Sequence, residues 1–312
     1  MPAADELVPT YPGACAPDRT RDLDSSGVRI SVKEWGDPAA PPVLMAHGGF
    51  DFARTLDVFA PMLVEGGWRV VSWDQRGHGD SDHAALYSWD ADIRDAVAVF
   101  ATVLESTDAT SIPVLGHSKG GGLTIHLADA LPHRVRVLVN IDGLPSYRNS
   151  PDVAERERTR YMARELGGWL DHRLTVAGKS RKPGTLEELA ERRARMNPRL
   201  SIEWLRYLAG AGARHDDDGW RWKLDPTLRF GGFGPWRPEW MLLRLPGLSM
   251  PFLGVLGREN ETMGGGMPPS DVAPYLPPGA RVEVVADAGH FVHIEQPRVV
   301  ADLALEFLGD PS

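Results

Sequence analysis

Residues 114–122 read "VLGHSKGGG": an apolar run breaks into a serine set among glycines, and a helical pattern follows. A serine at a tight turn between a buried strand and a helix is held with its hydroxyl projecting from the sheet's end. Side chains on either side would strike the neighbouring strand or helix, so the turn demands small residues. The helix after Ser118 also points backbone N–H groups and a positive dipole end at the hydroxyl, which suits an oxyanion. The competing reading is a glycine-rich loop with an idle serine. The strand pattern before the turn and the helical pattern after it weigh against that.

Outward from this turn, short β-type runs alternate with longer helical ones. Strands are expected at 28–35, 42–49, 68–77, 112–118 and 135–142, and again at 251–257 and 281–290. In 88–105, Ile93, Val97, Phe100 and Leu104 share one helical face, and Ser88 is placed to cap its start. The last helix has Pro297 at its start and Gly309 with Pro311 as its stop. Strands alternating with helices imply an α/β fold: a mostly parallel central sheet covered by helices on both faces. The alternation lapses over 144–245, where helical patterns dominate. Thr185 and Glu188 form a capping box there, and "DGWRWKLD" (218–225) alternates like a small hairpin arm. The expected organisation is a loose tail over 1–22, an α/β core over 23–143 and 246–312, and a helical insertion over 144–245. Insertions of that length tend to be lids or substrate-binding elements.

Composition bounds the partners. The apolar fraction of 42% and charged fraction of 25% are those of an ordinary globular protein. A net charge of −9 without a basic block argues against nucleic acid and anionic membrane. Cys15 is the only cysteine, so neither an intrachain disulfide nor a cysteine-based metal site is available. The acidic run "HDDDG" (215–219) reads as a solvated turn rather than a metal site. No metal and no cofactor is expected. No signal peptide or membrane-length apolar run is visible, and a cytoplasmic location is the default.

A serine hydroxyl needs a base. Of the ten histidines, His47, His78 and His117 lie in tight glycine-containing turns and His126 on the helix after Ser118. His290 closes the last strand in "ADAGHFVHIEQP", at the carboxyl edge of the sheet where Ser118 also sits and where catalytic groups collect in open α/β sheets. His290 is therefore the expected base, and His293 a packed neighbour.

With these residues in place, the chain resembles the α/β-hydrolase fold superfamily from about residue 25 onward. "HGGF" (47–50) resembles that family's loop after the third strand and "DQRGHGDSD" (74–82) its loop after the fourth. "GHSKGG" resembles its nucleophile elbow and "AGHFVHIEQP" its histidine loop. The order serine, acid, histidine is also the family's. The resemblance implies a cap over the active site for 144–245. It also implies that the backbone N–H of Gly49 (or Phe50, one residue on) joins that of Lys119 in an oxyanion hole. His47 is read as a structural hydrogen-bonder. The Lys119 side chain could attract an anionic substrate, but reaching to solvent is the simpler expectation.

The acid departs from the pattern. The loop after "FLGVLG" reads "GRENETMGGG", with Glu259 and Glu261 but no aspartate. Asp142, at the end of "VLVNID", is the second position from which some branches of the family take their acid, the haloalkane dehalogenases among them. A short aspartate at a rigid strand end holds an imidazole more reliably than a glutamate in a glycine-rich loop, so Asp142 is preferred to Glu261. Ser118 stands where dehalogenases and epoxide hydrolases carry a carboxylate. The expected function is a serine hydrolase acting on a small to medium, fairly apolar ester or lactone, with C–C cleavage of a β-diketone or perhydrolysis as variants on the same residues. The cap tryptophans suggest an apolar substrate, though they serve equally as cap core. The alternative is a non-catalytic ligand-binding or sensor protein on the same fold, favoured only by the unconventional acid loop. The partner in either case is a small molecule, and oligomeric state is not legible.

Overall fold

The structure, a computed structural model, describes residues 9–144, 155–228, 238–259 and 269–311. In chain order its strands are β1 (Arg19–Asp24), β2 (Arg29–Trp35), β3 (Pro42–Ala46), β4 (Arg69–Trp73), β5 (Ile112–His117), β6 (Val135–Ile141), β7 (Ala213–Asp216), β8 (Gly219–Trp222), β9 (Phe252–Gly257) and β10 (Arg281–Val285). Eight of them form one sheet in the order β1-β2-β4-β3-β5-β6-β9-β10, and β7 pairs with β8 apart from it. The β1/β2 and β2/β4 pairs are antiparallel; the remaining pairs of the large sheet are parallel. Central strands such as β3, β4 and β5 are buried along their whole length, as a sheet covered on both faces requires.

The helices are α1 (Phe59–Glu65), α2 (Trp89–Glu105), α3 (Lys119–Ala130), α4 (Glu155–Val176), α5 (Leu186–Ala194), α6 (Ile202–Gly212), α7 (Pro269–Val272), α8 (Val292–Glu295) and α9 (Pro297–Leu308). One face of the sheet carries α2 and α3 over a core that includes Val71, Trp73, Val114 and Phe252. The other carries α1 and α9 over Trp35, Phe59, Trp68 and Val139. Ser88 caps α2, its Oγ accepting the Ala91 N–H at 3.2 Å. On that helix the most buried face runs through Ala96, Val99, Phe100 and Val103, with Ile93, Val97 and Leu104 packed beside it.

Between β6 and β9 the described chain holds α4, α5, α6 and the β7–β8 hairpin. Thr185 and Glu188 close the expected capping box at 2.9 and 3.1 Å. Trp204 and Leu208 of α6 pack with Phe52 and Phe291, which flank the loops at the sheet's carboxyl edge. Trp204 is therefore core; Trp236 and the Trp240 side chain lie outside the description. The expected arm at 218–225 is β8, over 219–222, and it pairs with β7 across a turn at Asp217 and Asp218, where Arg221 pairs with Asp216 and Asp218.

The loose tail expected through residue 22 is corrected from residue 9 onward. Arg19 and Arg21 of β1 pair with Glu34 on β2 at 3.3 and 2.9 Å. The Cys15 carbonyl accepts the Trp35 indole N–H at 3.0 Å, and Tyr11 packs edge-on to Trp204 with centroids 5.0 Å apart. Among the described residues no helix is long and apolar enough to cross a membrane.

Candidate active site

Ser118 stands between the last residue of β5 and the first of α3, with φ 52° and ψ −121°. A non-glycine residue in that region is strained, and the surrounding backbone must impose it. Two glycines make this possible. A Cβ on Gly116 would lie 2.4 Å from the Gly120 carbonyl oxygen, and one on Gly120 would lie 2.3 Å from the Ala46 carbonyl oxygen. The Ser118 amide is fixed by the Ile141 carbonyl at 3.0 Å, which ties the turn to β6.

The same strand end places Asp142, the preferred candidate for the acid. Asp142 follows β6 with φ 45°, and its amide donates to the Val255 carbonyl on β9 at 2.8 Å. His290 follows β10 in the next loop. Its Nε2 lies 2.9 Å from Ser118 Oγ and its Nδ1 lies 2.6 Å from Asp142 Oδ2. The His290 and Asp142 side chains keep only 9% and 11% of their exposure, so the pair is largely shielded from water. Three residues from three strand ends are thus brought into one hydrogen-bonded chain. Glu261 lies outside the described residues. Glu259 is exposed, its amide bonded to the Ala288 carbonyl.

Gly49 and Lys119 are also brought together: a Cβ on Gly49 would sit 3.6 Å from the Lys119 Cβ. Lys119 is the first residue of α3, where an amide has no acceptor within its helix. Among the described residues the Gly49 amide likewise has no partner. The Phe50 amide is occupied, donating to His78 Nε2 at 3.2 Å. The geometry therefore favours Gly49 over Phe50 as the first oxyanion donor.

Neighbouring histidines build the loops. His47 Nδ1 meets the Gly48 carbonyl at 2.7 Å and Nε2 accepts the Gln75 N–H at 3.0 Å. Burial pushes its pKa down to about 4, so the ring is neutral at pH 7. His117 Nε2 donates to the His290 carbonyl at 2.9 Å, and burial holds His117, His78 and His293 well below the ordinary range. The expectation that Lys119 reaches to solvent is corrected: its Nζ pairs with the buried Asp92 at 2.7 Å and sits beside the Trp89 ring. Nothing in the local sequence announced Asp92, which an α2 register alone places there.

A profile of the Alpha/beta hydrolase family matches residues 43–303. The chain belongs to this family. Similar members include a "Serine hydrolase-like protein" of Dictyostelium discoideum, 33% identical over 119 residues, which cover 38% of this chain and 33% of that one. This chain thus spans about a third of that relative's length. The "sn-1-specific diacylglycerol lipase ABHD11" of Xenopus laevis is 26% identical across 89% of this chain and 84% of its own. Among solved structures, a "Thioesterase Domain From Curacin Biosynthetic Pathway" superposes with a TM-score of 0.74 at 23% identity, covering 92% of this chain and 99% of that one. For this alpha/beta hydrolase, that last likeness speaks to the fold alone.

Proposed function

We propose that this alpha/beta hydrolase is a serine hydrolase that cleaves carboxylic esters or lactones through an acyl-enzyme on Ser118. The observation that carries the reading is the continuous chain Ser118 Oγ, His290 Nε2, His290 Nδ1 and Asp142 Oδ2, with steps of 2.9 and 2.6 Å. His290 takes the Ser118 proton as Oγ attacks the carbonyl carbon, and Asp142 holds the tautomer and stabilises the imidazolium. The oxyanion is received by the Gly49 and Lys119 amides, which need no reorganisation as charge develops. His290 then protonates the leaving alkoxide, and the same base activates water for release of the acid.

The substrate class follows from charge. The Lys119 ammonium beside the site is matched by Asp92, so it offers no unbalanced cation to an anionic substrate. An uncharged ester or lactone of small to medium size suits that setting. Residues 144–245 act as the cap in this reading, with α6 set against Phe52 and Phe291 next to the oxyanion and histidine loops. A purely binding role draws no support from a hydrogen-bonded serine and histidine at a strained turn.

Intact mass after exposure to a fluorophosphonate tests the reading. The native chain takes up one adduct, Ser118→Ala takes up none, and hydrolysis of p-nitrophenyl esters falls by about 10³-fold or more in the variant. A folded native chain that stays unlabelled and inert toward esters and lactones sinks it.

A further inference from the structure

We infer that Arg193, on α5 of the helical segment, is a positioning residue that sets the oxyanion loop from outside the α/β core. The inference rests on the serine-hydrolase reading above. Arg193 Nη1 donates to the Phe50 carbonyl at 3.1 Å, and Nη2 donates to the Asp51 carboxylate. Its Nε is fixed by Asn197 Oδ1 at 3.0 Å, and the guanidinium lies 5.8 Å from the Trp222 ring centroid. All three faces of the fork are therefore held, and the planar group cannot swing away without losing several contacts.

The loop it grips is the one that carries Gly49. Phe50 has φ 61°, a conformation that a bulky residue adopts only when its surroundings compel it. His78 holds the Phe50 amide and Arg193 holds the Phe50 carbonyl, so the backbone is clamped on both sides of that residue. With its neighbour fixed, the Gly49 amide keeps one direction.

Asp51 explains why a cation is needed at this place. Its side chain retains 2% of its exposure, and its Oδ2 is tucked beneath Gly48, 3.0 Å from where a Cβ would stand. The aromatic groups around it, His47, His117 and His293, are buried with their pKa values depressed, hence neutral. Arg193 is the cation in contact with Asp51 among the described residues. A buried carboxylate stripped of its partner must take a proton or move toward water, and either change pulls on the loop. Helix α5 has separate anchors: Arg192 binds the Lys182 and Pro183 carbonyls, and the capping box fixes its start. Loss of Arg193 therefore perturbs the loop more than the helix.

The test compares native protein, Arg193→Lys, Arg193→Met and the neutral pair Asp51→Asn with Arg193→Gln. Each is titrated with fluorophosphonate, so that rates refer to competent serines. Steady-state kinetics on a p-nitrophenyl ester are then set beside inhibition by an aryl trifluoromethyl ketone, whose adduct places an oxyanion in the hole. The expected result for Arg193→Met is a kcat lower by about 10- to 100-fold with KM within threefold. The ketone should weaken in parallel with kcat. Arg193→Lys, which keeps the charge but not the fork, falls between. The neutral pair regains thermal stability without regaining kcat. Variants that turn over and bind the ketone like native protein, per labelled site, overturn the positioning role alone. A native chain that takes no label overturns both this inference and the reading beneath it.

Discussion

The loops at the sheet's carboxyl edge and the helical segment between β6 and β9 are fixed by different forces. At the sheet edge, position is a matter of backbone sterics over a few ångströms. Gly116 and Gly120 admit no Cβ, Ser118 and Asp142 take left-handed backbone, and their amides are tied to adjacent strands. The helical segment is attached by side chains reaching over long sequence separations, beside a short backbone pairing of His78 with Leu224 and of the Asp225 amide with the Gly77 carbonyl. Lys223 reaches Asp80 at 2.7 Å, Arg54 donates to the Tyr207 hydroxyl at 2.9 Å, and Arg193 donates to the Phe50 carbonyl. The first kind of constraint is stiff and intolerant of any added atom. The second yields in small steps, because partly exposed ion pairs contribute little each. The first suits the catalytic role proposed for Ser118, His290 and Asp142, and the second the cap role proposed for the helical segment.

The comparison breaks most visibly at the acid. Asp142→Asn keeps the size of the side chain but offers His290 an amide that can stabilise the wrong tautomer. Its kcat/KM is expected to fall by about 10³- to 10⁴-fold with little change in melting temperature. Glu261→Gln is expected to stay within about twofold of native. Progress curves on one activated ester decide between them, and a large loss in the glutamate variant would move the acid to the loop after β9.

Stiffness at the elbow is the next point of attack. Gly120→Ala adds one methyl group 2.3 Å from the Ala46 carbonyl oxygen and 2.5 Å from that of His47, both backbone atoms that cannot rotate aside. Urea unfolding is expected to show a loss of about 2–4 kcal/mol, with activity lost as well. An alanine accepted without loss would mean that α3 and β3 can separate, and the sheet edge would then be no stiffer than the helical segment.

This division of forces also decides what could be read in the sequence. The elbow was legible because its glycines lie within a few residues of Ser118, although the demand on Gly120 comes from the Ala46 and His47 carbonyls at the end of the neighbouring strand. Ser118 and Asp142 were legible as strand ends because β5 and β6 have plain apolar patterns, with Glu261 kept as the alternative acid. His290 sits five residues beyond the end of β10 and was legible from its histidine-loop motif. Strand β1 was not, since "RTRDLD" shows no apolar face; its Arg19 and Arg21 point to Glu34, a charge pattern that resembles a polar tail. Only one arm of the hairpin was legible, because Trp220 and Trp222 alternate in β8, while its partner β7 is polar. The pairs Lys119–Asp92 and Arg193–Asp51 join distant positions by charge alone, and a sequence with 34 basic and 43 acidic residues permits far too many such pairings to choose one.

The smallest effect separates the two regions by pH. The sheet-edge loops are built on neutral histidines: burial lowers His47 to about 4, and His78, His117 and His293 also lie well below their ordinary value. An unfolded histidine binds its proton near 6.5, so between pH 6.5 and 4 the unfolded chain holds more protons than the folded one. That stability is complete above about pH 6.5 and is lost as pH falls toward 4. His47 alone accounts for about 2 kcal/mol between pH 7 and 5. Two buried carboxyls act the other way. Burial raises Asp57 and Asp74 to about 6, so the folded form binds their protons first and recovers about 1 kcal/mol at each over the same range. His47 and His126, both lowered to about 4 by burial, outweigh the two aspartates by about 1–2 kcal/mol, and His78, His117 and His293 act in the same direction, so the melting temperature is expected to be lower at pH 5 than at pH 7. Amide exchange at pH 5 should then open residues 47–51, 75–79 and 288–293 before α5 and α6. Opening in the reverse order would place the acid-labile contacts in the helical segment and not in the histidine-lined loops.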